Sequence, residues 1–125
     1  MLWNNSSFIN FFSVPVIKLK QAKFIVYETE DFLIKCSEIR NNKNDGQPYW
    51  ERIDENGESC NLTIKEDKEN KYCLERYPPC LKILNVHMSD GGYYRCCIDY
   101  SASDGKETVR SEKANLIIEK SRHIL

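Results

Sequence analysis

The sequence predicts an all-β fold, an antiparallel sandwich of two sheets with Greek-key topology and about eight or nine strands. Short runs in which apolar and polar residues alternate indicate strands that are buried on one side. Clusters of glycine, asparagine, aspartate and proline separate these runs and indicate turns. No stretch of useful length has a helical period, and the chain has no internal repeat.

The N-terminal half of the chain begins with a strand region from Val16 to Thr29. Gaps between its apolar residues predict a kinked first strand that changes sheets. Glu28 to Asp31 predict a turn, and the alternating run from Phe32 to Cys36 predicts the second strand. Glu38 to Pro48 have the composition of an exposed loop, which leads to the strand that carries Trp50.

The middle of the chain contains a hairpin and a charged segment. Asp54 to Gly57 predict a tight turn, because Asn-Gly tolerates the positive backbone angles that such turns need. Glu58 to Ile64 predict the next strand, and the charged run from Lys65 to Lys71 indicates a solvated edge or loop. Two further strands follow on either side of a proline-containing turn at 77–79, namely Tyr72-Cys73 and Cys80 to Val86.

The last two strands are predicted at Tyr93 to Tyr100 and Thr108 to Glu119, with Ser101 to Glu107 as a hairpin loop. Asp90 and the glycine pair after it supply the turn into the first of these strands. Alternation then divides this strand between two faces. One face carries Gly92, Tyr94 and Cys96, and the other carries Tyr93, Arg95 and Cys97.

Cysteine, tryptophan and cysteine follow one another in this order, with a tyrosine two residues before the second cysteine. In this pattern the chain resembles the immunoglobulin superfamily, in its intermediate or variable-like set, because two extra edge segments fit between Trp50 and Leu81. The resemblance covers about Val16 to Glu119. The residues that carry it are Cys36, Trp50, Leu81, Ile83, Asp90, Gly92, Tyr94 and Cys96.

The resemblance implies a disulfide between Cys36 and Cys96 that crosses the sandwich core, with Trp50 packed against it. It also implies a tyrosine corner, in which the Tyr94 hydroxyl binds backbone a few residues upstream. The domain organisation that follows is a leader or poorly ordered segment at 1–15, an immunoglobulin-like domain at 16–119 and a tail at 120–125.

The other four cysteines are less constrained. Cys73 and Cys80 are predicted to pair, since two antiparallel strands that meet at a turn bring such residues within reach. Cys60 and Cys97 stay unassigned. Cys97 should point outward, as a partly shielded thiol, as the partner of Cys60, or in an intermolecular disulfide that makes a homodimer. The wide spacings argue against zinc, and no metal site is expected.

Six cysteines in a chain of 125 residues indicate an oxidising, extracellular compartment. The sequon at Asn61 predicts a glycosylation site, and a weaker overlapping pair occurs at Asn4 and Asn5. Met1 to Ile17 form an atypical or truncated leader, or a leading segment packed on the domain. No membrane span is expected in this chain.

Catalysis and nucleic-acid binding are both disfavoured. A net charge of −1, from 18 basic and 19 acidic residues, provides no broad field for nucleic acid. His87 and His123 are the only histidines, and no nucleophile, metalloprotease or phosphate-loop motif is present. We therefore expect neither an enzyme nor a cofactor.

The function that the resemblance implies is extracellular protein recognition, with a protein ligand or another immunoglobulin-like domain as partner. Tyrosine and arginine are frequent interface anchors, and small polar residues form adaptable loops. Alternatives are a structural spacer in a multi-domain array or a fragment of a larger membrane receptor. The candidate binding surface comprises Tyr49, Tyr93, Arg95, Tyr100, Asp104 and Gly105.

Overall fold

The structure is a computed structural model that describes residues 14–40, 47–54, 56–62, 72–76, 79–102 and 104–120. Within these ranges the chain forms strands and a 3₁₀ turn, Met88–Asp90. The predicted leader, most of the loop before Trp50, the charged run at 65–71 and the C-terminal tail lie outside the described residues. The strands are β1 (Val16–Leu19), β2 (Lys23–Tyr27), β3 (Phe32–Arg40), β4 (Tyr49–Ile53), β5 (Ser59–Leu62), β6 (Tyr72–Arg76), β7 (Pro79–Ile83), β8 (Gly92–Ala102), β9 (Gly105–Arg110) and β10 (Ala114–Glu119).

The strands form two sheets that pack face to face, which confirms the predicted all-β sandwich. One sheet has the order β1-β3-β7-β6, and the other has the order β2-β10-β8-β4-β5. In the second sheet, β9 also pairs with β8. The pairings among these strands are antiparallel except for that of β2 with β10, which is parallel, so the second sheet is mixed.

The N-terminal strand region changes sheets, as its interrupted apolar pattern predicts. β1 pairs with β3 in the first sheet, whereas β2 pairs with β10 in the second. Between them, the amide of Lys20 still donates to the carbonyl of Lys35 at 3.1 Å. Two residues later, the carbonyl of Ala22 accepts from the amide of Asn115 at 2.7 Å. The crossover therefore keeps backbone hydrogen bonds to both sheets.

The strand predicted at Thr108 to Glu119 is divided into β9 and β10, and other predicted strand ends also differ from the structure. β3 continues into the expected loop as far as Arg40, because Ile39 pairs with Ile17 and packs against the core. The strand after the Pro79 turn ends at Ile83 rather than Val86, and Asn85 adopts a positive φ of 48°. β8 and β9 continue to Ala102 and from Gly105, so the expected loop at 101–107 is mostly paired strand.

The hairpin between β4 and β5 follows the Asn-Gly prediction. Gly57 has a φ of 83°, and its amide donates to the carbonyl of Asp54 at 3.1 Å. The Asp54 carboxylate accepts the amides of Asn56 and Glu58 at 2.9 and 3.0 Å. This turn fixes the register in which Trp50 faces Leu62 across the two strands.

The core lies between the two sheets and is built from the inward positions of their strands. Trp50 and Tyr94 are the largest fully buried side chains. The ring of Phe24 meets that of Phe32 edge to face at 4.7 Å between centroids. The other buried members are Ile17, Leu19, Ile34, Cys36, Leu62, Leu81, Ile83, Val86, Cys96, Ile98, Ala114, Leu116 and Ile118.

Candidate functional site

The turn before β8 is closed by a tyrosine corner. The Tyr94 hydroxyl donates to the carbonyl of Asp90 at 2.5 Å, and burial raises the pKa of this phenol. The Asp90 carboxylate accepts the amide of His87 at 2.8 Å. Gly92 begins the strand with a φ of 142°, where an added Cβ would lie 3.3 Å from the carbonyl of Ile53. These contacts position the inner and outer faces of β8.

Arg52 stabilises the same corner from the neighbouring strand. Its guanidinium donates to the carbonyl of Gly91 at 2.9 Å and to that of Ser89, and it lies 5.9 Å from the centroid of the Tyr94 ring. Sequence reasoning did not identify this residue. Its position two residues after Trp50 places it on the inner face, but only the register with Tyr94 reveals its partner.

Cys36 and Cys96 face each other across the core, and both are buried. Cys96 lies directly opposite Trp50 in the register of β4 and β8. The thiols are in hydrogen-bond contact, which lowers the pKa of Cys36, while the same contact and burial raise that of Cys96. The fold thus brings together the three residues that the immunoglobulin resemblance connects.

Cys73 and Cys80 lie on the same face of the β6–β7 hairpin but not directly opposite each other. Cys73 is opposite Lys82, and Cys80 is opposite Glu75, so the two cysteines are diagonal neighbours. Diagonal Cα atoms are about 7–8 Å apart, which is beyond the usual range for a disulfide. A bond between these cysteines requires a backbone shift in the hairpin.

Cys60 and Cys97 lie on opposite faces of the second sheet. Cys60 is opposite Arg52 and shares the inner side with Trp50, whereas Cys97 alternates with Cys96 and lies on the outer side. Since β4 separates their strands, they are also two strand spacings apart, about 9–10 Å. This geometry rules out the bond between them that the sequence left open.

Cys97 is fully buried, with an exposed fraction of 0%, although it points away from the core. It lies opposite Tyr49 on one side and Arg110 on the other. Burial and the nearby Glu51 carboxylate raise the pKa of its thiol to about 12. The expected partly shielded thiol is therefore inaccessible, and it cannot form an intermolecular disulfide without local opening.

Three charged side chains lie next to Cys97 on this outer face. Glu51 has an exposed fraction of only 4%, and the Nε atoms of Arg95 and Arg110 both approach its Oε1 atom. Arg95 is directly opposite Glu51 in the register, and the distance from Arg110 Nε is 3.4 Å. A buried carboxylate thus orients two guanidinium groups on one sheet face.

A second polar group lies beyond Cys97 on the same face. The Tyr49 hydroxyl donates to Oδ1 of Asp99 at 2.9 Å, and the Thr108 hydroxyl donates to the same atom at 2.7 Å. The hydrogen bond from Thr108 and, to a lesser extent, the one from Tyr49 lower the pKa of Asp99. Burial and the bond to Asp99 raise the pKa of Tyr49 to about 12. We call this side of the second sheet the outer face; its members include Tyr49, Glu51, Tyr93, Arg95, Cys97, Asp99, Thr108 and Arg110.

The predicted binding surface is divided by the structure. Tyr49, Tyr93 and Arg95 lie on the outer face, where Tyr93 is 43% exposed and Lys113 Nζ lies 5.8 Å from its ring centroid. Tyr100 lies on the opposite side of β8 by alternation. Asp104 and Gly105 are exposed at the end of the β8–β9 hairpin.

Two members of the outer face, Glu51 and Arg110, were not identified from the sequence. Glu51 alternates with Trp50 and could have been assigned to an outward position. Arg110 could not have been assigned, because its place beside Cys97 depends on the register of β8 and β9. The sequon residue Asn61 is exposed and lies directly opposite Glu51, at the edge of this face.

No metal site or membrane helix occurs among the residues that the structure describes. In those ranges, no three histidine, cysteine, aspartate or glutamate side chains are grouped so that they could hold a metal ion. None of the helical segments there has the length and apolar character needed to cross a bilayer.

The chain has the features of an immunoglobulin-like domain. These are the order of its strands, the buried pair of cysteines, the tryptophan in the core and the tyrosine corner. No protein-family model matches the chain. It is similar to triggering receptor expressed on myeloid cells 1 of Bos taurus, with 29% identity over 86 residues. The match covers 62% of this chain and 37% of that receptor, so the chain corresponds to well under half of the relative.

Proposed function

We propose that this chain is an extracellular immunoglobulin-like recognition domain of a receptor, which binds a protein ligand through its outer face. The similarity to a receptor expressed on myeloid cells supports the receptor class. The exposed aromatic ring of Tyr93 beside Arg95 supports the outer face as the contact surface, because tyrosine and arginine are common interface anchors. The proposal assigns no catalytic role to the chain.

The variable-like or intermediate set is part of this proposal. A constant-type domain has three strands in its second sheet, whereas here β5 extends that sheet beyond β4. The additional strand widens the outer face and places Asn61 at its margin. In the extracellular location that we propose, Cys36 and Cys96 form the disulfide across the core and Asn61 carries a glycan.

A structural spacer is the second candidate, and the outer face argues against it. A spacer needs only its two ends for contact with neighbouring domains, and a solvated sheet face would serve it well. Here a buried carboxylate, two arginines and an exposed tyrosine occupy one strand-built surface. Burying a carboxylate costs desolvation free energy, and pairing it with arginines does little more than offset that cost. We therefore take this arrangement as support for a binding role rather than for a purely structural one.

The test compares one substitution on each sheet in a multimeric form of the full chain, applied to a cell type that is first selected from a panel because it binds the parent chain. Tyr93→Ala removes an exposed side chain from the outer face, and Leu33→Ala removes a similarly exposed one, at 41%, from the opposite sheet. We expect Tyr93→Ala to reduce cell binding by about tenfold or more and Leu33→Ala to leave it unchanged. Equal effects of the two substitutions, or binding that neither changes, would reject the outer face as the contact surface.

A further inference from the structure

The outer face holds two arginines side by side in a fixed orientation. The Nε atom of Arg95 donates to Oε1 of Glu51, and the Nε atom of Arg110 lies 3.4 Å from the same oxygen as an ion pair. The Glu51 carboxylate is almost fully buried. The two arginine side chains remain 21% and 45% exposed. The contacts with Glu51 given for both arginines are through Nε. A guanidinium group has five N–H donors, so each of these partly exposed side chains has donors for a further ligand.

The charges around this pair do not balance. One carboxylate, Glu51, faces two guanidinium groups. Cys97 behind them supplies no compensating negative charge, since its thiol stays protonated far above neutral pH. Asp99 lies beyond Cys97 and accepts hydrogen bonds from Tyr49 and Thr108. Its carboxylate also interacts with Arg110 and Lys106, so it offsets part of the positive charge of the face.

Lysines at the margins of the face add to this excess of positive charge. Lys106 lies opposite Ser101 on the outer side of β8, and Lys113 lies over the Tyr93 ring. The positive charge is local, because the whole chain has a net charge of −1. Such a surface suits a carboxylate held at close range rather than nucleic acid, whose binding needs an extended basic field.

We propose that Arg95 and Arg110 together form a carboxylate-binding site, which receives an aspartate or glutamate side chain of the protein ligand. The inference rests on the proposed recognition function and adds the chemistry of the partner. Guanidinium donors match the planar geometry of a carboxylate and bind it with charge-assisted hydrogen bonds. Because Glu51 already orients both arginines, an incoming carboxylate loses little affinity to the ordering of these side chains.

The experiment uses the full, isotopically labelled chain and an acetylated hexaglutamate peptide as the probe, with hexaglutamine as the uncharged reference. NMR titration follows the arginine Nε resonances and the backbone amides of β8 and β9. Hexaglutamate should shift the resonances of Arg95 and Arg110 in a saturable manner, and hexaglutamine should not. Absence of a saturable shift with hexaglutamate would overturn the proposal.

Two substitutions that remove one positive charge from β9 form a matched pair. Arg110→Gln removes a guanidinium group of the site, whereas Lys106→Gln removes the same charge four residues away on the same face. We expect Arg110→Gln to weaken hexaglutamate binding by about tenfold or more and Lys106→Gln by about twofold or less. Equal losses would instead indicate a diffuse electrostatic attraction and would reject a defined site.

Folding controls and alternative anions complete the design. Arg110 is largely exposed, so its variants should keep the thermal midpoint of the parent, and Arg110→Lys should retain only part of the affinity. Tighter binding of sialyllactose or inorganic sulfate than of hexaglutamate would reject an acidic side chain as the occupant. If Tyr93→Ala loses cell binding but the parent chain does not bind hexaglutamate, the recognition function is upheld and this site is rejected. If the parent chain binds hexaglutamate but Tyr93→Ala keeps full cell binding, the site is upheld and the outer face is rejected as the contact surface for cells.

Discussion

Cys96 and Cys97 are adjacent in sequence, yet alternation along β8 places them in different environments. Cys96 faces Cys36 in the core, whereas Cys97 lies under the charged side chains of the outer face. Both are fully buried. The contact with Cys36 and burial raise the pKa of the Cys96 thiol, and burial raises the pKa of the Cys97 thiol. The Cys97 thiol is therefore unreactive, although it belongs to the face that we propose for binding.

Alkylation of the native protein should therefore spare Cys97. With a pKa of about 12, its thiol has a negligible thiolate fraction at pH 8, and the side chain is inaccessible. Cys60 is exposed on β5 and serves as the internal reference. Mass spectrometry after iodoacetamide treatment should find Cys60 modified in the native state and Cys97 only after denaturation. Modification of Cys97 at the rate of Cys60 would contradict the structure.

β8 connects most of the second sheet. It pairs with β4, β9 and β10, and its inner side carries the tyrosine corner while its outer side carries Tyr93, Arg95 and Cys97. Because the two sides face different environments, an outer substitution at Tyr93 can change the exposed surface without disturbing the core. The same strand begins at a glycine whose backbone is closely packed against β4.

Alanine substitution at the two glycines that border the β8 hairpin region should have unequal effects. Gly92 and Gly105 have φ angles of 142° and 133°, which side chains rarely adopt, so each substitution should destabilise the protein by about 1 kcal/mol or more. A Cβ at Gly105 meets nothing within 4 Å, but one at Gly92 lies 3.3 Å from the Ile53 carbonyl. Gly92→Ala should therefore cause a larger loss in the free energy of unfolding, about 2–3 kcal/mol in total.

Urea denaturation of the two variants measures this difference directly. The Gly105→Ala variant is the control, since it introduces the backbone strain without the contact to β4. An equal loss of stability in both variants would mean that the backbone of Gly92 can move away from Ile53 at little cost.

At the scale of the whole molecule, a single covalent link would join the two sheets. Cys36 lies on β3 of the first sheet and Cys96 on β8 of the second. A disulfide between them closes a loop of about 60 residues, which on the chain-entropy model contributes roughly 4 kcal/mol to stability. That contribution is a large part of the 5–15 kcal/mol typical of a domain.

The proposed disulfide predicts a large difference between the oxidised protein and a variant that carries Cys36→Ala and Cys96→Val. The oxidised protein should be more stable by about 4 kcal/mol in urea denaturation, and a reductant should bring it close to the variant. A non-reducing peptide map should contain the linked peptides of Cys36 and Cys96. If the map lacks this link, or if the stabilities agree, the disulfide proposal is wrong.

The residues that the sequence identified are those whose roles depend on local pattern. Alternation around Cys36 and Cys96 predicted two inward positions, and the Asn-Gly pair predicted the β4–β5 hairpin. The immunoglobulin resemblance implied that Trp50 packs beside these cysteines. The residues that it missed act through register. Arg52, Glu51 and Arg110 gain their partners only when β4, β8 and β9 are aligned.

The sequence by itself determined the all-β class and the face on which most strand residues lie, because these follow from the period of two along each strand. The two-sheet sandwich was predicted from the immunoglobulin resemblance. Tertiary structure alone decided that Cys60 and Cys97 lie on opposite faces and that Arg110 joins Arg95 beside Glu51. The physical reason is that cross-strand neighbours depend on hydrogen-bond register between distant segments. A shift of one residue in register changes every such pair.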